Sequence, residues 1–92
     1  MPSPAVRDNA ALSRFELDAD GHAALAYYRL SPGTITFTHT EVASEVEGRG
    51  IGSRLVLDAL EQVRARGLKV VPLCSFVRRT IARHPEFRDL LA

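Results

Sequence analysis

One cysteine in 92 residues rules out an internal disulfide, and three scattered histidines with no second cysteine give no zinc-ligand spacing. A reducing cytoplasm is the expected setting, and no metal is expected. No apolar stretch approaches the roughly 18 residues that a membrane-spanning helix needs. The first twelve residues also lack a basic start followed by a long apolar run, so neither insertion nor export is indicated. Charge of one sign is missing too. Twelve Lys and Arg against 11 Asp and Glu leave a formal charge of +1, so the whole molecule has no strong pull on nucleic acid or a membrane surface. There is no repeat and no low-complexity tract. A chain of this length makes one small domain that buries roughly 60–65% of its unfolded surface, with no room for a separate substrate domain. Residues 1–11 read as a flexible leader, and 12–92 as the folded domain.

Within 12–92, hydrophobic periodicity orders the chain. Ser13 to Asp18 alternates, with Phe15 and Leu17 on one phase. Asp20-Gly21 is a hairpin signal leading into Ala23 to Leu30, where Tyr27 and Tyr28 point to opposite faces. Ser31-Pro32-Gly33 is a second turn. Thr34 to Thr40 then puts threonines at even positions and Ile35, Phe37 and His39 at odd ones. These segments predict an antiparallel meander of three or four strands. From Ile51 to Arg66 the apolar residues Ile51, Leu55, Val56, Ala59, Leu60 and Val63 keep the helical period, and Gly67 closes the helix. Leu68 to Cys74 is an apolar run after a crossover helix, hence a strand parallel to the one before the helix. Pro72 cannot donate to a ladder, so this strand lies at an edge or parts from its neighbour there. Ser75 is placed to cap a last helix that ends at His84, before Pro85. Pro85 to Leu91 is a short closing turn or helix. The order β-β-β-β-α-β-α is an α+β fold with one parallel pair.

The most informative stretch runs from Thr40 to Ser53, with glycines at 48, 50 and 52 immediately before the long helix. Such glycines permit a tight turn and keep side chains away from the backbone. A helix that starts in glycines leaves its first N–H groups and positive dipole end open, which favours phosphate oxygens. The plainer reading is a strand-to-helix turn with no ligand. No Lys-Ser or Lys-Thr follows the last glycine, as a P-loop needs, and no acidic residue ends a second strand of a repeated βαβ unit, as a dinucleotide fold needs.

The order of strand, Glu47-Gly48-Arg49-Gly50-Ile51-Gly52, helix and strand resembles the central acetyl-CoA motif of the GNAT superfamily of N-acetyltransferases. His39-Thr40-Glu41-Val42, the glycine loop, Lys69 to Cys74, and Arg83 to Phe87 together resemble its small single-domain members, over about residues 13–91. The resemblance implies two parallel strands splayed into a V that takes the pantetheine arm of acetyl-CoA as a missing strand. It assigns backbone pairing to Val42 and its neighbours, the pyrophosphate to Gly48, Arg49, Gly50, Ile51, Gly52 and Ser53, and the other wall to Cys74, Ser75 and the last helix. Arg78, Arg79 and Arg83 are placed to meet the 3′-phosphate end or to form a solvated basic face. Three features depart from the pattern. Glu47 stands where Arg or Gln is usual, Ser75 to Phe87 contains no tyrosine to protonate the leaving thiolate, and Thr80 and Phe87 replace an aromatic and a tyrosine found in close relatives.

Acetyl transfer requires a neutral amine, and a lysine-like amine of pKa about 10.4 is neutral only about 0.04% of the time at pH 7, a deficit of about 4.6 kcal/mol. His39 and Glu41, on the strand entering the site, are the candidate bases. The phase of His39 matches Ile35 and Phe37, which equally fits a half-buried strand histidine, and Glu41 equally fits a solvated strand-end carboxylate. Cys74 sits where a strand delivers its last residue to a helix N-terminus, which suits a nucleophile, an acid for departing CoA, or a small core residue. The resulting reading is an acetyl-CoA-dependent N-acetyltransferase with Cys74, Glu41 and His39 as catalytic candidates. Direct transfer to an exposed primary amine is favoured over a covalent Cys74 route. A non-catalytic acyl-CoA-binding module is the alternative. Expected partners are acetyl-CoA and an amine acceptor, with no nucleic acid and no membrane, the chain acting as a monomer or weak homodimer.

Overall fold

The computed structural model describes residues 5–92. Five strands, β1 (Arg7–Asn9), β2 (Arg14–Ala19), β3 (His22–Ser31), β4 (Thr34–Val42) and β5 (Lys69–Pro72), form one sheet in the order β1-β2-β3-β4-β5. Neighbours are antiparallel except β4 and β5, which are parallel. Helix α1 (Ile51–Ala65) makes the crossover, and α2 (Ser75–Arg83) follows β5. This is the expected α+β meander with a parallel pair at one edge. No described helix is long and apolar enough to cross a membrane.

The helices cover one face of the sheet. Phe15, Leu17, Ala24, Ala26, Tyr28, Ile35, Phe37 and Val70 point toward them and meet Leu55, Val56, Ala59, Leu60 and Val63 of α1 in one apolar cluster. Strand alternation and the helical period therefore supply the two halves of the core. Asp20 and Gly21 both adopt positive φ, +53° and +78°, as a tight two-residue hairpin requires. Helix α1 ends in a Schellman arrangement at Gly67, φ +71°, with Gly67 N–H donating to Arg64 C=O at 3.0 Å and Leu68 N–H to Val63 C=O at 3.2 Å.

Two expectations are corrected. Residues 1–4 of the expected leader lie outside the described residues, but much of the remainder is built into the sheet. Arg7, Asp8 and Asn9 pair with Glu16, Phe15 and Arg14, Val6 is buried, and Gln62 donates to Val6 C=O at 2.9 Å. Three residues are too few to display alternation, so the strand exists through its long-range partners. The second correction concerns the phase of β4. Tyr28 faces Phe37, yet Tyr27 faces His39, so Thr38 is an extra residue, a β-bulge. The bulge reverses the alternation: Ile35 and Phe37 face the helices, whereas His39 and Glu41 emerge on the open face, 60% and 55% exposed. His39 is therefore not a half-buried member of the Ile35 and Phe37 row.

Tyr28 ties β1 to the core by donating to Asp8 at 2.5 Å, and Asp8 also accepts from Arg66 at 2.9 Å. Burial first, and then this hydrogen bond, push the Tyr28 phenol up to about 12 from its ordinary 10. The folded protein thus holds the phenolic proton more tightly than the unfolded chain. The associated stability, on the order of 2–3 kcal/mol, is complete below about pH 10 and is lost as pH rises through about 12. Urea unfolding at pH 8 and pH 11 tests this: the wild type should weaken over that interval, and Tyr28→Phe should be less stable at pH 8 yet show a smaller further loss.

Candidate functional site

The β4–β5 ladder stops early. Its last pair is Phe37 with Pro72, and the Cys74 N–H then donates to Phe37 C=O at 3.0 Å. Beyond this point β4 continues to Val42, paired on its other side with β3 as far as Ala24. The edge of β4 from Thr38 to Val42 therefore has no partner strand, because Pro72 brings no N–H and the chain turns into α2. A groove of about 390 Å³ opens here, lined by Thr40 and Val42 of β4, Phe76 of α2, and the loop from Val46 to Ser53 apart from Arg49.

The loop is shaped by its glycines. Gly48 and Gly50 take φ of +82° and +74°, and a Cβ on either would meet nothing within 4 Å, so conformation rather than space requires glycine there. Gly50 is the N-cap of α1 with no side-chain capping bond, and the first turn carries no acidic residue. The leading N–H groups of α1 thus have no intrahelical acceptor and face the groove with the positive end of the dipole. Gly52 has a different reason. A Cβ there would lie 2.8 Å from the Phe76 ring and 3.1 Å from Val42, so α1, α2 and the end of β4 meet at this residue. Val46, just before the glycines, is buried and lines the groove.

The remaining sequence candidates fall into separate places. Arg49 turns out of the groove and pairs with Asp20 of the β2–β3 hairpin at 2.5 Å. Glu47 is an exposed residue of the groove's lining, so the loop that offers its N–H groups also carries a negative charge beside them. Cys74, rather than Ser75, occupies the N-cap of α2, without a side-chain capping bond, and Ser75 is the exposed first helical residue. The Cys74 thiol is buried and lies 3.3 Å from the Thr40 hydroxyl, just behind the groove wall. Arg79 lies 6.0 Å from the centre of the Phe76 ring, at the groove's rim. Arg78 instead lines a second, apolar groove of about 520 Å³ against β5, so the basic residues of α2 do not act as one patch. Among the described residues no group of His, Cys, Asp and Glu gathers to hold a metal.

His39 and Glu41 are joined by a hydrogen bond of 3.2 Å between Nε2 and Oε1, on the face of β4 opposite the helices. Tyr27 lies on the same face as this dyad, with Tyr28 in the core, so of the two tyrosines that alternate on β3 it is Tyr27 that reaches the open face. Phe76 belongs to the last helix, which the resemblance assigns to the other wall, although nothing in the sequence singles it out within that helix. The parted strands leave the groove on one side of β4 and the dyad on the other.

Substituting Gly52 probes the packing directly. Alanine gains up to about 1 kcal/mol in helix propensity, but overpacking against Phe76 costs about 1–3 kcal/mol. Gly52→Ala should therefore lose on the order of 1 kcal/mol in urea denaturation, and Gly52→Ala with Phe76→Leu should lose less than the two single changes summed.

The family model of GCN5-related N-acetyltransferases matches residues 14–90. The NMR solution structure of a GCN5-like candidate N-acetyltransferase from Staphylococcus aureus aligns with 100% of this chain and 91% of its own, at a TM-score of 0.74 and 24% identity, a likeness of fold. Acetyl transfer is the general chemistry of that family. The matched segment begins at β2, takes in the glycine loop and the parted strands, and ends in the closing turn; the chain belongs to the GCN5-related N-acetyltransferase family.

Proposed function

We propose that the protein moves an acetyl group from acetyl-CoA directly onto an exposed primary amine of the protein-lysine or polyamine kind, in a reducing, cytoplasmic setting. The observation that carries this reading is the parting of β4 from β5. It sets an uncapped, glycine-built helix start on one side of a single strand and a His–Glu dyad on the other. The donor set fits the carrier: open main-chain N–H groups from Gly48 to Ser53 suit a diphosphate, and the unpartnered edge of Thr38 to Val42 suits an amide-bearing arm. Glu47 opposes that fit and weakens it. When bound, acetyl-CoA supplies the thioester-activated acetyl group.

The chain's own residues take the proton. The Glu41 carboxylate is an acceptor only, so in a neutral ring the hydrogen bond to His39 requires the proton on Nε2 and leaves Nδ1 as the base. Glu41 thus orients the imidazole and stabilises the imidazolium formed when an amine proton arrives, while the amine nitrogen bonds to the acetyl carbon and the carbon–sulfur bond breaks. A buried Cys74 lies behind the wall and is better set to give its own proton to the departing thiolate through the Thr40 hydroxyl, which lines the groove, than to attack; solvent reprotonates the thiol as the imidazolium gives up the amine proton. The shallow, open acceptor face suits amines presented on a surface.

Three measurements test the reading. Acetyl-CoA at about 100 times its Kd should add about 2.7 kcal/mol, a melting shift of about 10 °C or more, and no shift at millimolar carrier would sink the proposal. Amine-dependent release of free thiol should fall about 100-fold or more in His39→Ala, whereas Cys74→Ala should retain measurable turnover, its complete loss favouring a covalent route. Glu47→Gln should tighten acetyl-CoA by about threefold at low salt, with the gain fading as salt rises.

A further inference from the structure

We infer that Tyr27 is the positioning residue of the site: its ring holds the His39 imidazole in place, and Arg14 holds the ring. The inference rests on the reading of His39 as the base. The bulge at Thr38 is what creates the contact, since it brings His39 opposite Tyr27 on the open face of the sheet. The two rings lie 6.1 Å apart between centres and 21° from parallel, an offset stack. Thr38 secures the bulge by donating its hydroxyl to Tyr27 C=O at 3.4 Å, so the residue that shifts the register also binds the residue that receives His39.

Tyr27 is itself held from the next strand. Arg14 Nη1 donates to the Tyr27 phenolic oxygen at 3.2 Å, and the guanidinium sits 5.7 Å from the ring centre. Arg14 Nε in turn donates to Glu16 at 2.6 Å, and Glu16 also accepts from Arg7 and Asn9 of β1 at 3.0 Å each. The Arg14 hydrogen bond, then that of Asn9, holds the Glu16 carboxyl below its usual range, so the line stays ion-paired at neutral pH. A continuous row of side chains thus crosses four strands and ends on the imidazole, whose other contact is Glu41.

This row lies outside the core, and its terminal residue needs it. A histidine 60% exposed on a strand is otherwise free to change rotamer, and a base that wanders loses the alignment on which proton transfer depends. The Tyr27 ring removes one side of that freedom, and Glu41 removes another.

The test compares Tyr27→Phe, Tyr27→Leu, Tyr27→Val and His39→Ala in full-length protein, with acetyl-CoA, a lysine-containing peptide and thiol release as readout. Tyr27→Phe keeps the ring and its 5.7 Å contact with the Arg14 guanidinium, losing only the hydrogen bond to the phenol, and should stay within about threefold of wild-type kcat. The two ringless variants should lose about 10- to 100-fold in kcat with KM for acetyl-CoA unchanged; Val is included as a good strand former should Leu disturb folding. Proton NMR supplies a readout independent of turnover: the His39 ring C–H signals should be shifted upfield by the tyrosine ring in wild type and Tyr27→Phe, and not in the ringless pair. Wild-type kcat in either folded ringless variant, with His39→Ala inactive, overturns the positioning role alone. So does Tyr27→Phe falling as far as Tyr27→Leu, or absence of the upfield shift. Full activity in His39→Ala instead overturns the base assignment on which the inference stands.

Discussion

Everything at this site depends on one hydrogen bond being the last of its ladder. The Cys74 N–H reaches Phe37 C=O at 3.0 Å, and from there β4 and the chain after β5 separate. Pro72 supplies no donor just before the break, and α2 begins just after it, so the sheet has no means of continuing. Extended backbone with one edge unpaired ordinarily invites a partner strand. Here the starts of α1 and α2 crowd the opening and leave room only for something slender.

That crowding is specific. Gly52, Phe76 and Val42 come from three different elements and meet at one point, where a single methyl group on Gly52 would touch the ring at 2.8 Å. Close contact there brings the N-terminus of α1 against the open edge of β4, so the helix dipole and unpaired main-chain groups act on the same space. The three glycines of the loop therefore serve two ends: Gly48 and Gly50 permit left-handed turns, and Gly52 permits the approach.

On the opposite face the controlling device is the bulge. Without Thr38 as an extra residue, His39 would follow Ile35 and Phe37 into the helix-facing core, and Thr40 would point away from Cys74. One unpaired residue thus sorts the end of β4, sending His39 and Glu41 out and Thr40 and Val42 in toward the groove. The network of Arg7, Asn9, Glu16, Arg14 and Tyr27 occupies the outward face onto which the bulge turns His39.

Local physics was readable from the chain. The 3.6-residue period of α1, its close at Gly67, the Asp20-Gly21 hairpin, the opposite faces of Tyr27 and Tyr28, and a β5 that at Pro72 lies at an edge or leaves its neighbour are each set within a few residues, so the sequence alone determined them. Partners distant in sequence decided the rest. Strand β1 exists because Asp8 meets Tyr28 and Arg66, Arg49 leaves the loop because Asp20 lies beside it, and the face of His39 depends on how β3 and β4 register around Thr38. Alternation counts residues along one strand and carries no record of where its neighbour skips one. Only tertiary pairing could decide that histidine's side of the sheet, and with it the geometry of the site.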